Sequence, residues 1–221
     1  MDNQKFEAEL KILRELIDFL NRQVGVYCDC LSSFEGNKIR VERQVARVNF
    51  PTEHVLRNGV TTIVSSSVED PTHPDIIIHR LVKSNEFLNQ NSERGFNERQ
   101  ICWAIVLLMF AFWDEDLRPK IATIRGVKTN DVRVDAFGDL RLLRNCIAHN
   151  RGVLSASDHK SMKIMGLLCE PAKLFSPSHD QMHKIFIALK NAIGTLILSH
   201  VGHLPGAPDA KTIVGVAIQN I

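Results

Sequence analysis

Residues Ile101–Trp113 read ICWAIVLLMFAFW, a run of 13 positions without a charged side chain. It is flanked by Arg99 on one side and by Asp114, Glu115 and Asp116 on the other. A bilayer-spanning helix needs roughly 20 apolar residues, so this length predicts a buried core helix instead. The helix is expected from Glu98 to about Leu117. Being apolar almost all round, it belongs at the centre of a helical bundle rather than on its surface. Asn97 and Gln100 have capping-box spacing in front of it. Pro119 stands near its end, with residues 121–127 as a short connection or a turn of helix.

On the amino-terminal side, Phe6, Leu10, Leu13, Ile17, Leu20 and Val24 recur at steps of three and four, which predicts a long first helix over residues 5–31. Residues 36–75 are polar, β-branched in places and interrupted by proline and glycine. They read as loops with a strand or short helix around Thr61–Ser66. Residues 76–89 are compatible with another helix. On the carboxyl side, Asp131 is placed to cap a helix running from Val132 to about Asn150, with an interruption at Gly138. Gly152 is placed to end that helix in a left-handed conformation. A short helix near 157–168, a proline-marked loop, and a long helix over 178–201 follow, with Ser178 and Gln181 at capping-box spacing. The expected class is therefore all-α. The expected organisation is an N-terminal helix plus irregular segment (1–75), a helical domain (76–203) and a C-terminal tail (204–221).

Composition narrows the functional classes. A chain of 221 residues with 44 % hydrophobic content can supply a sizeable core. The formal charge of +2 carries no polyelectrolyte character, so any nucleic-acid contact must come from a local site. The five cysteines form no recognisable disulfide framework, and the pair Cys28 and Cys30 has no zinc-ligand companion. His179 with His183, and His200 with His203, can share helical faces, but no acidic residue repeats with them. No GxxxxGK, GxGxxG or HExxH motif occurs, so neither a cofactor nor a metal site is expected. The acidic amino-terminal segment lacks the pattern of a signal peptide, and a cytoplasmic protein without a membrane segment is expected.

The chemistry is concentrated in DLRLLRNCIAHNRG, Asp139–Gly152. At about 100° per residue, Ala136, Phe137, Leu140, Leu143 and Ile147 form one broad apolar face. Leu142 and Cys146 lie opposite, which implies a second packing partner, either another helix or another copy of the chain. Arg141, Asn145 and His149 form a polar stripe between these faces. Arg144 is about 140° from His149. Within one helix the two side chains meet only if the arginine curls past Asn145, whereas a two-fold dimer packed through this helix would offer both from two chains. A purely structural reading also exists, with Arg144 paired to Asp114 or Glu115, the asparagines bonded to backbone and His149 capping a carbonyl.

This segment resembles the signature of the HEPN superfamily, an Arg, a polar residue, three variable residues and a His, here Arg144, Asn145, Cys146, Ile147, Ala148 and His149. Asn150, Arg151 and Gly152 resemble a common continuation. FWDEDLR, Phe112–Arg118, is similar to the partner helix of such domains. The resemblance implies a HEPN-like helical bundle with an irregular N-terminal insertion or extension, and a homodimer through the Arg144 and His149 helix. It further implies metal-independent endoribonuclease activity in a toxin or antiviral defence setting, with RNA as substrate and an antitoxin or other regulatory partner. His149 would move a proton during attack of the ribose 2′-hydroxyl on the adjacent phosphate, giving 2′,3′-cyclic phosphate and 5′-hydroxyl ends. Arg144 would clamp the phosphate, and Asn145 would bind it or orient His149. Asn150, Arg151 and Arg141 are further candidates for RNA contact, and Glu115 or Asp114 for orienting the pair. A non-catalytic HEPN module, binding RNA or nucleotides or serving as a dimerisation adaptor, is the alternative. It is favoured by the low basicity and by the lack of the tyrosine that follows the histidine in some relatives.

Overall fold

The computed structural model describes residues 3–47, 63–67, 70, 72, 75 and 77–201. The C-terminal tail and most of the stretch between residues 48 and 76 lie outside the described residues. Helix predominates, as expected for the class. The elements are α1 (Asn3–Arg47), β1 (Ile63–Ser66), β2 (Arg80–Lys83), α2 (Ser84–Gln90), α3 (Phe96–Ala111), a π-helical stretch (Phe112–Leu117), α4 (Arg118–Arg125), α5 (Asp135–His149), α6 (Ala156–Ser161) and α7 (His179–Val201), with short 3-10 turns at Thr129–Asp131 and Gly166–Leu168. None of the described helices is long and apolar enough to cross a membrane.

The chain forms two compact units, one from Met1–Tyr27 with Ile101–Ile221, the other from Cys28–Gln100. These boundaries differ from the expected 1–75, 76–203 and 204–221 because α1 and α3 each contribute to both units. In the smaller unit, β1 and β2 pair antiparallel with Val64 opposite Val82. Arg80, Leu81, Val82 and Lys83 alternate in exposure with only Val82 buried, the period of a half-covered strand. Val82 joins Val41 of α1 and Phe87 of α2 in a small core, against which Val64 and Leu88 pack. Two expectations are corrected here. The first helix runs on to Arg47, and a strand plus a short helix replace the helix expected over 76–89.

In the larger unit, Leu13, Leu16 and Leu20 of α1, Ile105 and Met109 of α3, Leu140 and Leu143 of α5 and Ile185 and Leu189 of α7 are buried at the spacings of amphipathic helices. Ser178 and Gln181 form the expected capping box. The Ser178 N–H donates to Gln181 Oε1 at 2.8 Å and the Gln181 N–H to Ser178 Oγ at 3.3 Å. The helix α3 departs from expectation twice. It begins at Phe96, where Glu98 accepts from the Arg94 N–H in place of an Asn97 and Gln100 box. It is also not sheathed all round, since Ala104 and Leu108 are exposed, Leu108 by 53 %.

Pro119 does not end this helix. Helical backbone continues through it to Arg125, and Gly126, at φ 70°, closes the run in the left-handed region. Proline lacks an N–H and its ring collides with the carbonyl four residues back, so a continuous helix must widen there. The π-helical stretch supplies that widening immediately before Pro119. Phe112 stacks on Phe19 of α1 (centroids 4.2 Å, interplanar angle 27°), and Trp113 stacks on Phe137 of α5 (4.2 Å, 14°). The helix bearing the Arg144 and His149 pair is thereby seated on the widened turn.

Candidate active site

Helix α5 begins at Asp135, not Val132, and runs through Gly138 without interruption. Asp131 caps no helix and instead accepts from the Lys128 N–H in a 3-10 turn. At the other end the backbone turns left-handed at Arg151 (φ 53°) and Gly152 (φ 82°), and the Gly152 N–H closes on the Cys146 carbonyl at 2.8 Å. Gly152 is also sterically required, because an added Cβ would stand 2.2 Å from Trp103 Cζ2.

The second apolar side of α5 is covered from within the chain at Cys146. Cys146 is fully buried, its thiol directed to the Leu143 carbonyl at 3.1 Å and the Gly152 carbonyl at 3.8 Å. Burial, together with the negative charge of Asp158, pushes this thiol up to about 11. The segment after Gly152 returns on itself. The Phe175 N–H reaches the Gly152 carbonyl at 2.8 Å, and Trp103 Nε1 reaches the Phe175 carbonyl at 2.8 Å. Asp139, 2 % exposed, takes the N–H groups of Lys163 (3.0 Å), Ile164 (2.7 Å) and Met165 (2.8 Å). His159 Nε2 lies 3.0 and 3.1 Å from the Gly166 and Cys169 carbonyls, closing the same loop. The partner implied at Cys146 is thus this loop, while Leu142 is half-buried and lines an adjacent cleft.

Arg144, Asn145 and His149 come together at the exposed end of α5. Arg144 Nη1 donates to Asn145 Oδ1 at 3.0 Å and lies 3.3 Å from His149 Nε2. The guanidinium carbon stands 5.7 Å from the centre of the Phe110 ring, which orients it from below. The arginine therefore curls past Asn145, and the two functional groups meet without a second chain. Because guanidinium only donates, this contact is a hydrogen bond in the neutral tautomer that carries its ring proton on Nδ1 and a lone pair on Nε2.

The acidic residues after the apolar run do not reach this pair. Asp114 bonds Arg118 at 2.7 Å and Asp116 bonds Lys120 at 2.9 Å. Glu115 is exposed. Among the described residues Arg144 forms no ion pair with Asp114 or Glu115, and its guanidinium lies over Phe110 instead. Arg141, Asn150 and Arg151 are exposed. Asn150 works through its backbone, donating to the Cys146 carbonyl and accepting from the Val153 N–H. A cleft of about 740 Å³ lies alongside, walled by Phe110, Trp113, Gly138, Arg141 and Lys163 among others. Arg144, Asn145 and His149 are outside its walls, whereas Phe110, which lies under the Arg144 guanidinium, is part of them. Among the described residues no group of three His, Cys, Asp or Glu side chains is gathered as a metal site.

No protein-family model, curated protein or solved structure matches this chain. Phe110, Asp139 and His159 are the site's supports that sequence reasoning missed. Asp139 carried a readable signal. It lies seven residues before Cys146, on the side of α5 otherwise given to burial, where an acid must find donors.

Proposed function

We propose that this protein is a metal-independent endoribonuclease of HEPN type, with Arg144, Asn145 and His149 as its catalytic group. The observation that carries the reading is the contact of Arg144 Nη1 with both Asn145 and His149 on an exposed helix end. A permanently charged planar donor beside an imidazole with a free lone pair is a suitable set for a phosphodiester next to a ribose hydroxyl. A phosphate drawing the guanidinium toward itself would release His149 Nε2 to accept the 2′-hydroxyl proton. The 2′-oxygen then forms its bond to phosphorus as the bond to the 5′-oxygen breaks, and the negative charge grows against Arg144.

Two protons move in this reaction, one off the 2′-hydroxyl and one on to the departing 5′-oxygen. His149 serves one transfer. A second copy docked through α5, the homodimer inferred from the family resemblance, would bring the other. A toxin or antiviral defence role, and a restraining partner, rest on that resemblance alone.

The test is incubation of the purified chain and its His149→Ala variant with labelled single-stranded RNA and total tRNA in EDTA. The parent should leave 2′,3′-cyclic phosphate ends, and the variant should be slower by about 10²-fold or more. A substrate with deoxyribose at the cleaved position should survive. Intact RNA with the parent, in a preparation confirmed as dimeric, would turn the reading toward a non-catalytic module.

A further inference from the structure

The 740 Å³ cleft has a chemistry of its own. Its cationic and anionic side chains are unequally engaged. Arg118 is held by Asp114, Lys163 is held by Asp135, and Asp139 is consumed by three backbone N–H groups, while Asp158 accepts from Ser155 Oγ and has no ion pair among the described residues. Arg133 gives its Nε to the Asn130 carbonyl, leaving its terminal nitrogens without an ion pair among the described residues. Arg141 is exposed and likewise has no ion pair there. Phe110, Trp113 and Phe137 also line the cleft, but as core residues that are 7 %, 3 % and 2 % exposed they offer a ligand only their edges. The two guanidinium groups of the rim, Arg133 and Arg141, match an anionic ligand such as a phosphodiester.

Gly138 is the second observation. It lies within α5, where glycine costs about 1 kcal/mol relative to alanine. Its φ is not in the left-handed region, and an added Cβ would meet nothing within 4 Å. Nothing among the described residues therefore requires a glycine here, yet the residue lines the cleft, where a missing side chain lets a ligand approach the helix backbone. No side chain caps the amino end of α5, whose Val134 and Asp135 border the same cleft.

The cleft is also placed relative to the catalytic group. Phe110 both lines it and lies under the Arg144 guanidinium. Arg141 stands two helical turns before His149 on the same stripe, about 12 Å along the axis. That distance corresponds to roughly three nucleotides at the 3.4 Å rise of a stacked strand. Resting on the ribonuclease reading above, we infer that the cleft seats a nucleotide of single-stranded RNA upstream or downstream of the cleaved bond. Arg133 and Arg141 hold its phosphate while Gly138 gives it access to the helix backbone.

The experiment compares the full chain with Gly138→Leu, and with a variant carrying both Arg133→Ala and Arg141→Ala, each checked for folding by thermal melting. A Cβ at 138 meets nothing within 4 Å and helix propensity improves, so where melting shows leucine tolerated its effect reports on the cleft rather than on folding. Cleavage is measured on a dinucleotide, too short to reach from His149 to Gly138, and on a single strand of about ten nucleotides. The arginine variant should raise KM for the longer RNA about tenfold, the loss expected of a charged hydrogen bond, and Gly138→Leu should raise it by occupying the space the ligand takes, both leaving its kcat and the dinucleotide unaffected. Equal impairment of both substrates, or of neither, would overturn the inference.

Binding of the same strand made wholly of 2′-O-methyl nucleotides separates the two readings. If the parent cleaves nothing, the ribonuclease reading fails. The cleft inference still stands if this uncleavable strand binds and both variants weaken it, the arginine variant about tenfold. It falls if the strand does not bind or binds all forms alike. It also falls if 5′-AMP displaces the strand at equal affinity, which would make the cleft a mononucleotide site.

Discussion

Trp113 lies flat on Phe137, ring centroids 4.2 Å apart and planes 14° from parallel, so the π-helical turn and the site-bearing helix share one stacked pair. Both rings are buried. Replacing Trp113 by alanine should destabilise the fold by about 3 kcal/mol or more, with a smaller loss for Trp113→Phe, which keeps a stacking ring. Urea unfolding of the three proteins checks this. Equal stability would show that the stack contributes no more than its neighbours can replace.

Asp139 and the loop at Lys163–Met165 form a second support for α5. Asp139→Ala would strand three N–H groups that the carboxylate now accepts from, at a cost of about 3 kcal/mol. Hydrogen exchange at residues 163–165 should accelerate in this variant well before exchange in the α7 core does. Unchanged protection of those amides would remove the loop-anchoring role.

Gly152→Ala combines a left-handed φ of 82° with a Cβ that would press on Trp103. A loss of about 2 kcal/mol or more is expected, since both backbone strain and overpacking oppose the change. Because Trp103 is the group displaced, its fluorescence should shift along with the melting temperature. Gly126→Ala makes the control, since the φ there is also positive but an added Cβ meets nothing within 4 Å.

Burial raises the thiols of Cys146 and Cys169 to about 11 and about 12, against an ordinary value of 9.0. Both should resist iodoacetamide at pH 8, since thiolate is the reacting form, while the exposed Cys28 is alkylated. The same shift has a stability consequence. A folded state that holds the proton more tightly than the unfolded chain keeps that contribution below pH 9 and loses it as pH rises toward 11 and 12. Urea midpoints should thus fall across this alkaline window, and fall less in Cys146→Ala than in the parent. A parallel decline in both would trace the alkaline loss to other groups.

The helical class, the capping box at Ser178, the left-handed stop at Gly152 and the polar stripe of Arg141, Asn145 and His149 were legible in the amino-acid order. Each depends on neighbours within a turn or two, where spacing alone determines which side chains share a face. The continuation of α1 to Arg47 was not legible. Its polar second half becomes helical in a unit where Val41 finds Val82 and Phe87, contacts made far along the chain. The sequence also could not show that Pro119 sits inside a helix. That outcome depends on a π-helical turn flanked by rings from α1 and α5.

For the site, local order determined that Arg144 and His149 lie about 140° apart on one helix. Only the tertiary structure decided that they touch. Phe110, from another helix, supports the guanidinium on the side where it can curl past Asn145, while Asp114 is already bound to Arg118 and does not draw it away. A long arginine has several rotamers available to it. The choice among them belongs to whatever packs around it, which helical spacing does not encode.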